Sequence, residues 1–151
     1  MKILLDTNIL VYAYDPADLI RQEQAIQLLD HLHIRGNGVL SVQGLAEFFS
    51  SVIRPVHGMP PRLSSTEALH WAEILTLQFE VLPLTPMAIL EAGRAVRDHQ
   101  LAYYDAQVWA TAHLNQIPVI FSGDFQDGQV LEGVRFTNPF SDNFDLNLWI
   151  N

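Results

Sequence analysis

Ile3, Leu4 and Leu5 form a continuous apolar run that stops at Asp6-Thr7-Asn8. A strand with one wet face alternates apolar and polar residues. A strand that is apolar at every position has both faces covered, as in the middle of a parallel sheet flanked by helices. Asp6 then stands at the carboxyl end of that strand, the side on which open α/β sheets bind ligands. An aspartate there is also a common turn or capping residue, so Asp6 gains meaning only if other acids converge on it.

The rest of the chain repeats this beginning. Asp15-Pro16 reads as a cap with proline in the first turn, opening a helix over 17–35 whose apolar positions are Ile26, Leu29 and Leu32, with Gly36-Asn37-Gly38 ending it. Val39-Leu40 is a short strand, and Ser41 caps a helix over 42–53 with Leu45, Phe48, Phe49 and Val52 as its stripe. Ser64 and Glu67 have capping-box spacing before a helix reaching about Phe79. A strand over 81–84 leads to a Thr85-Pro86 cap and a helix to about Asp98. A further helix spans about 102–115, followed by strands over 118–121 and 134–136 with a polar loop over 122–128 between them. Strands spaced by helices of this length predict βαβ units: an α/β fold of three layers, α/β/α, with a central parallel sheet. Residues 1–151 are expected to form a single domain, since the length suits one core and no repeat or linker interrupts it.

Composition narrows the chemistry. There is no cysteine, which excludes disulfides, thiolate metal sites and a cysteine nucleophile, and fits a reducing, cytoplasmic setting. No run of about 20 apolar residues is present, and the start lacks the pattern of a signal peptide, so no membrane association is expected. The net charge of −9 argues against loose, charge-driven binding of nucleic acid or anionic lipid, although a bound cation inverts the sign locally. Lys2 is the only lysine.

Four carboxylates are candidates for one site. Asp105 shares a helix face with Val108, Trp109 and Ala112, and a carboxylate on an apolar stripe needs compensation by a cap, by Arg94 or Arg97, or by a metal. Asp124 follows Pro118-Val-Ile-Phe121 much as Asp6 follows its own strand, with Asp127 in the same loop. Glu47 lies off the apolar stripe of its helix, beside Gln43, Ser50 and Arg54, where either solvent or a cleft is its surroundings. Gathered together, such groups repel by about 4 kcal/mol per pair at ~4 Å and an effective dielectric of 20. Raised pKa values or a divalent cation relieve that repulsion. An oxygen-only donor set suits Mg²⁺ or Mn²⁺, which activates water and stabilises developing charge in phosphodiester hydrolysis.

Leu4-Leu-Asp-Thr-Asn-Ile-Leu10, Ala46-Glu-Phe48, Tyr103-Tyr-Asp-Ala106 and Phe121-Ser-Gly-Asp-Phe125 resemble, in order and spacing, the successive motifs of PIN-domain ribonucleases, and of the VapC-type toxins of toxin–antitoxin pairs in particular. The resemblance covers essentially the whole chain. It implies that Asp6, Glu47, Asp105 and Asp124 form the acidic metal-binding set, with Asp127 as an additional acid. Thr7, Asn8 and Ser122 become supporting polar residues that orient carboxylates or water. Gly123 departs from the pattern, since many relatives carry an acid there. The resemblance further implies a parallel sheet with the first strand central and Mg²⁺- or Mn²⁺-dependent endonucleolytic hydrolysis of RNA leaving a 5′-phosphate and a 3′-hydroxyl. It also implies a homodimer, and a small antitoxin whose arginine pairs with the cleft's carboxylates.

Other readings compete. A haloacid-dehalogenase-type phosphatase needs a second aspartate where this chain has Asn8, together with a downstream lysine, and a receiver domain needs that lysine too; both are excluded. A PIN-like module without activity, used for binding or as a scaffold, stays open, as does a nuclease acting on structured DNA. His31 and His33 point to different helix faces and make no metal pair. Trp71, Trp109 and Trp149 read as packing residues, as does the apolar tail Leu148-Trp149-Ile150.

Overall fold

The computed structural model describes residues 1–149; Ile150, the end of the apolar tail, lies outside them. The elements run β1 (Ile3–Leu5), α1 (Thr7–Tyr12), α2 (Leu19–Arg35), β2 (Gly38–Ser41), α3 (Val42–Val52), α4 (Ser65–Gln78), β3 (Glu80–Leu82), α5 (Pro86–His99), α6 (Tyr103–Leu114), β4 (Val119–Phe121), β5 (Val130–Leu131) and β6 (Val134–Thr137). Together they form a six-stranded sheet in the order β3-β2-β1-β4-β6-β5. β1 is flanked by β2 and β4, both parallel to it, with Leu4 opposite Val39 and Ile120. All three residues of β1 are buried, as a strand covered on both faces requires.

Alternation along the strands divides the core. Ile3, Leu5, Leu40, Val119 and Phe121 face one way and pack with Leu10 of α1, Leu28 and Leu32 of α2, Phe48 of α3 and Leu75 of α4. Leu4, Val39, Ile120 and Phe136 face the other way, onto Ala92 and Ala95 of α5 and Ala106, Trp109 and Ala110 of α6. The three layers expected from sequence are therefore present.

Four details differ from the sequence reading. The sheet is mostly rather than wholly parallel, because β5 pairs antiparallel with β6. The connection is a two-residue turn with positive φ at Glu132 (47°) and Gly133 (83°), the backbone that suits a tight hairpin. α1 was not expected: it is only six residues long, too short to show a period, and Asp6 caps it by accepting from the Thr7 N–H at 2.8 Å. α2 starts at Leu19 rather than after Asp15, because Asp15 turns on itself, accepting from the Ala17 N–H, while Asp18 accepts from the Arg21 N–H. Its buried face is Ala25, Leu28, Leu29 and Leu32, leaving Ile26 44 % exposed. Trp149 docks on the domain as expected, its ring 5.4 Å from that of Phe121. Trp109 is fully buried and donates through Nε1 to the Leu131 carbonyl.

Candidate active site

At the carboxyl end of the parallel strands is a cleft of about 350 Å³. Asp6, Glu47, Asp105 and Asp124 all line it, together with Thr7, Asn8 and Gln43. Each acid arrives on a different element. Asp6 sits between β1 and α1, Glu47 on α3, Asp105 in the first turn of α6, and Asp124 three residues beyond β4.

Asp6 is the best fixed. One carboxylate oxygen accepts from the Thr7 N–H. The other accepts from Ser122 Oγ at 2.8 Å and, more weakly, from Asn8 Nδ2 at 3.3 Å. Ser122 Oγ in turn accepts from Asn8 Nδ2 and from the Asp124 N–H, while Asn8 Oδ1 accepts from the Gly123 N–H at 3.0 Å. These bonds stitch β1 to the loop after β4, and their reach is set by the pairing of the two strands. Gly123 is tight as well as bonded: a Cβ there would meet the Phe140 ring at 3.3 Å. On the other wall, Glu47 accepts from Thr7 Oγ1 at 3.0 Å and from Gln43 Nε2 at 2.9 Å. Gln43 also donates to the Tyr104 carbonyl, linking α3 to the first turn of α6 beside Asp105. Thr7, Asn8 and Ser122 thus sit among the acids as the sequence reading expected.

The electrostatics follow from burial and crowding. Burial pushes the Asp6 carboxyl up from 3.8 to about 6; hydrogen bonds from Ser122 and Thr7 hold it down, and the charges of Asp124 and Glu47 push it further up. Asp105 is also raised, first by burial and then by Asp124 and Glu47. Neither Arg94 nor Arg97 compensates Asp105. Arg94 pairs with Glu91 and Glu132, and Arg97 with Asp98, on another part of the surface. Among the described residues, the carboxylates of Asp105 and Asp124 accept no hydrogen bond.

Asp127 is placed differently. It is exposed, does not line the cleft, and its Oδ1 accepts from the Asn138 N–H at 2.9 Å, tying the loop to the segment after β6. Among the described residues, no three acidic or histidine side chains stand close enough together, as they are, to hold a metal ion. The donor set nevertheless fits a hard divalent cation: it is all oxygen, and the charges of Asp124 and Glu47 raise the proton affinity of Asp6 and Asp105. In addition, Gln43 Oε1 is buried in the cleft wall with no hydrogen-bond partner. Sequence reasoning missed Asp15, Arg62 and Tyr104 as lining residues. Gln43 alone left a trace, one turn before Glu47 on the same helix face.

The family model of the PIN domain matches residues 3–126. The chain belongs to the PIN domain family. Solved structures with this PIN fold include a toxin–antitoxin complex from Klebsiella pneumoniae (17 % identity, 92 % of this chain and 98 % of that one, TM-score 0.65). Another is VapC20 of Mycobacterium tuberculosis, described as a sarcin–ricin-loop-cleaving toxin (19 %, 89 % and 99 %, TM-score 0.63). A third is FitAcB of Neisseria gonorrhoeae (22 %, 91 % and 98 %, TM-score 0.62). At such identities the likeness is one of fold, and it runs nearly the full length of this PIN chain. Comparison with curated proteins gives no match.

Proposed function

We propose that this PIN domain is a Mg²⁺- or Mn²⁺-dependent endoribonuclease, the toxin of a toxin–antitoxin pair acting in the cytoplasm. The observation that carries the reading is the presence of four acids from four elements in one cleft, with Asp6 held by Ser122, Asn8 and Thr7. Asp6, Glu47, Asp105 and Asp124 would hold the cation; when bound, it neutralises the phosphate's developing charge and acidifies water. Asp127, tied to Asn138, is left to the loop.

The chain's own residues do the rest. Thr7 and Gln43 fix both oxygens of Glu47, so its carboxylate cannot swing away as substrate enters. Ser122 and Asn8 do the same for Asp6. Asp105 and Asp124, which no donor among the described residues engages, accept hydrogen bonds from the attacking water. The water oxygen bonds to phosphorus as one of its protons passes to these carboxylates, the bond to the 3′-oxygen breaks, and that oxygen takes up a proton from solvent to leave as a hydroxyl, with a 5′-phosphate on the other fragment.

An antitoxin partner is supported by the Klebsiella complex, and RNA as substrate by the VapC20 description. A homodimer is supported by an apolar patch at the start of α5, where Leu84, Ile89 and Leu90 line a shallow groove beside exposed Met87. Among the described residues no helix is long and apolar enough to cross a membrane.

The test is cleavage of a mixed RNA pool by the purified chain with Mg²⁺, with Mn²⁺ and with chelator, alongside Asp6→Asn and Asp105→Asn. Cleavage that needs the ion and falls at least 100-fold in both variants is expected. Equal activity of wild type and variants refutes the enzyme and leaves a binding module; preference for flap DNA over RNA refutes the substrate.

A further inference from the structure

We infer that Arg62 is the residue that holds the polynucleotide's phosphate backbone at the acidic cleft. The inference deepens the nuclease reading and rests on it. A cleft lined by Asp6, Asp15, Glu47, Asp105 and Asp124 repels a polyanion, and Arg62 is the single lysine or arginine among its lining residues. Its place is built rather than incidental. Pro60 and Pro61 restrict the backbone just before it, and the Leu63 N–H bonds to the Val52 carbonyl at 2.9 Å, anchoring the loop to the end of α3. The side chain is only 22 % exposed, and Asp15 Oδ2 receives one terminal nitrogen at 3.1 Å. Asp15 is itself fixed through its other oxygen by the Ala17 N–H.

Asp15 engages a terminal nitrogen, while Nε is buried with no partner among the described residues. A buried guanidinium N–H without an acceptor is costly. With one terminal nitrogen on Asp15 and Nε closed off by its burial, the second terminal nitrogen, which has no partner among the described residues, is the donor that can reach a phosphate oxygen. The arrangement is therefore that of a cation steered by one carboxylate and incompletely satisfied, in the cleft where phosphate would lie. Arg54 borders a second hollow that shares Thr7, Glu47 and Ser51 with the cleft, but it is exposed, and among the described residues no carboxylate pairs with it. A purely structural role predicts an arginine whose donors are all used within the protein, which Arg62 does not meet.

The test uses full-length protein carrying Asp6→Asn, so that RNA is bound without being cut. Affinity for a short, mixed-sequence, fluorescein-labelled RNA is measured across a KCl series at fixed Mg²⁺. Adding Arg62→Gln should weaken binding about tenfold and flatten the slope of log K against log [salt] by about 0.7 to 1, the share of one phosphate contact. Arg62→Lys should keep the slope while losing part of the affinity. Arg35→Gln, at the far end of α2, should change neither. In the protein retaining Arg62, the Arg62 Nε–H resonance should shift on RNA addition, a readout that does not depend on a variant folding. An unchanged slope in folded Arg62→Gln, or an Nε–H signal unmoved by RNA that is demonstrably bound, overturns the inference while leaving the nuclease reading intact. Absence of both RNA binding and RNA cleavage by the wild type overturns the two together.

Discussion

Replacing Asp6 by asparagine should stabilise the metal-free protein at neutral pH, although it removes the most firmly held acid of the site. Asp6 is 8 % exposed, and its carboxyl titrates at about 6 instead of 3.8. At about 1.4 kcal/mol for each pH unit, its ionisation costs the folded state about 3 kcal/mol. Because the folded-state pKa is the higher one, the penalty is absent below about 3.8. It grows as the unfolded chain loses its proton first, and it is complete once pH passes about 6. Asparagine carries no charge and escapes it. The amide forfeits part of the Ser122 and Asn8 bonding, a loss of about 1 kcal/mol that does not depend on pH. Subtracting wild type from variant cancels the titrating groups that do not interact with Asp6. Urea unfolding with chelator present should show the stability difference moving by about 3 kcal/mol in favour of Asp6→Asn between about pH 4 and pH 7, then levelling. Saturating Mg²⁺ should raise the wild-type midpoint and not the variant's, reversing the order. A difference that stays flat across that range would refute the claim that burial and neighbouring acids strain Asp6.

Further expectations follow from packing and bonding. Gly38→Ala should destabilise by about 1–3 kcal/mol in urea, since its Cβ would stand 2.9 Å from the Phe79 ring and 3.0 Å from Leu32 Cβ. Ser41→Ala removes the acceptor of the buried Gly44 N–H at the start of α3, costing about 1–2 kcal/mol by the same measurement. It should also lower cleavage, because α3 carries Gln43 and Glu47. Ser122→Ala should cut cleavage about tenfold. It should also move the Asp6 titration upward in carboxyl NMR, because the Ser122 bond is what most holds it down.

The layers were legible because β1 and β4 are apolar at every position and the caps at Ser41, Ser64 and Thr85 are local chemistry. What was not legible depended on shortness or on distant partners. α1 spans less than two turns, and β5 is two residues whose pairing is set by the turn at Glu132-Gly133. Asp15 carries the same local signature whether it caps a helix or faces an arginine, and only the folded loop before α4 brings Arg62 to it. In the site, strand ends exposed Asp6 and Asp124, whereas Glu47 had no periodic signal, because a helix face turned to a cleft has the same pattern as one turned to water. Asp127 shows the reverse: its loop suggests a ligand, and the fold places it outside the cleft lining, with Oδ1 accepting from the Asn138 N–H.

The bond between Asp6 and Ser122 spans 116 positions. A nascent chain interrupted anywhere before Phe121 has no β4 to lie beside β1, so its first aspartate has neither its serine nor the acid that follows. Asp6 therefore gains its serine, and the Asp124 carboxylate beside it, only once about four-fifths of these 151 residues have been made.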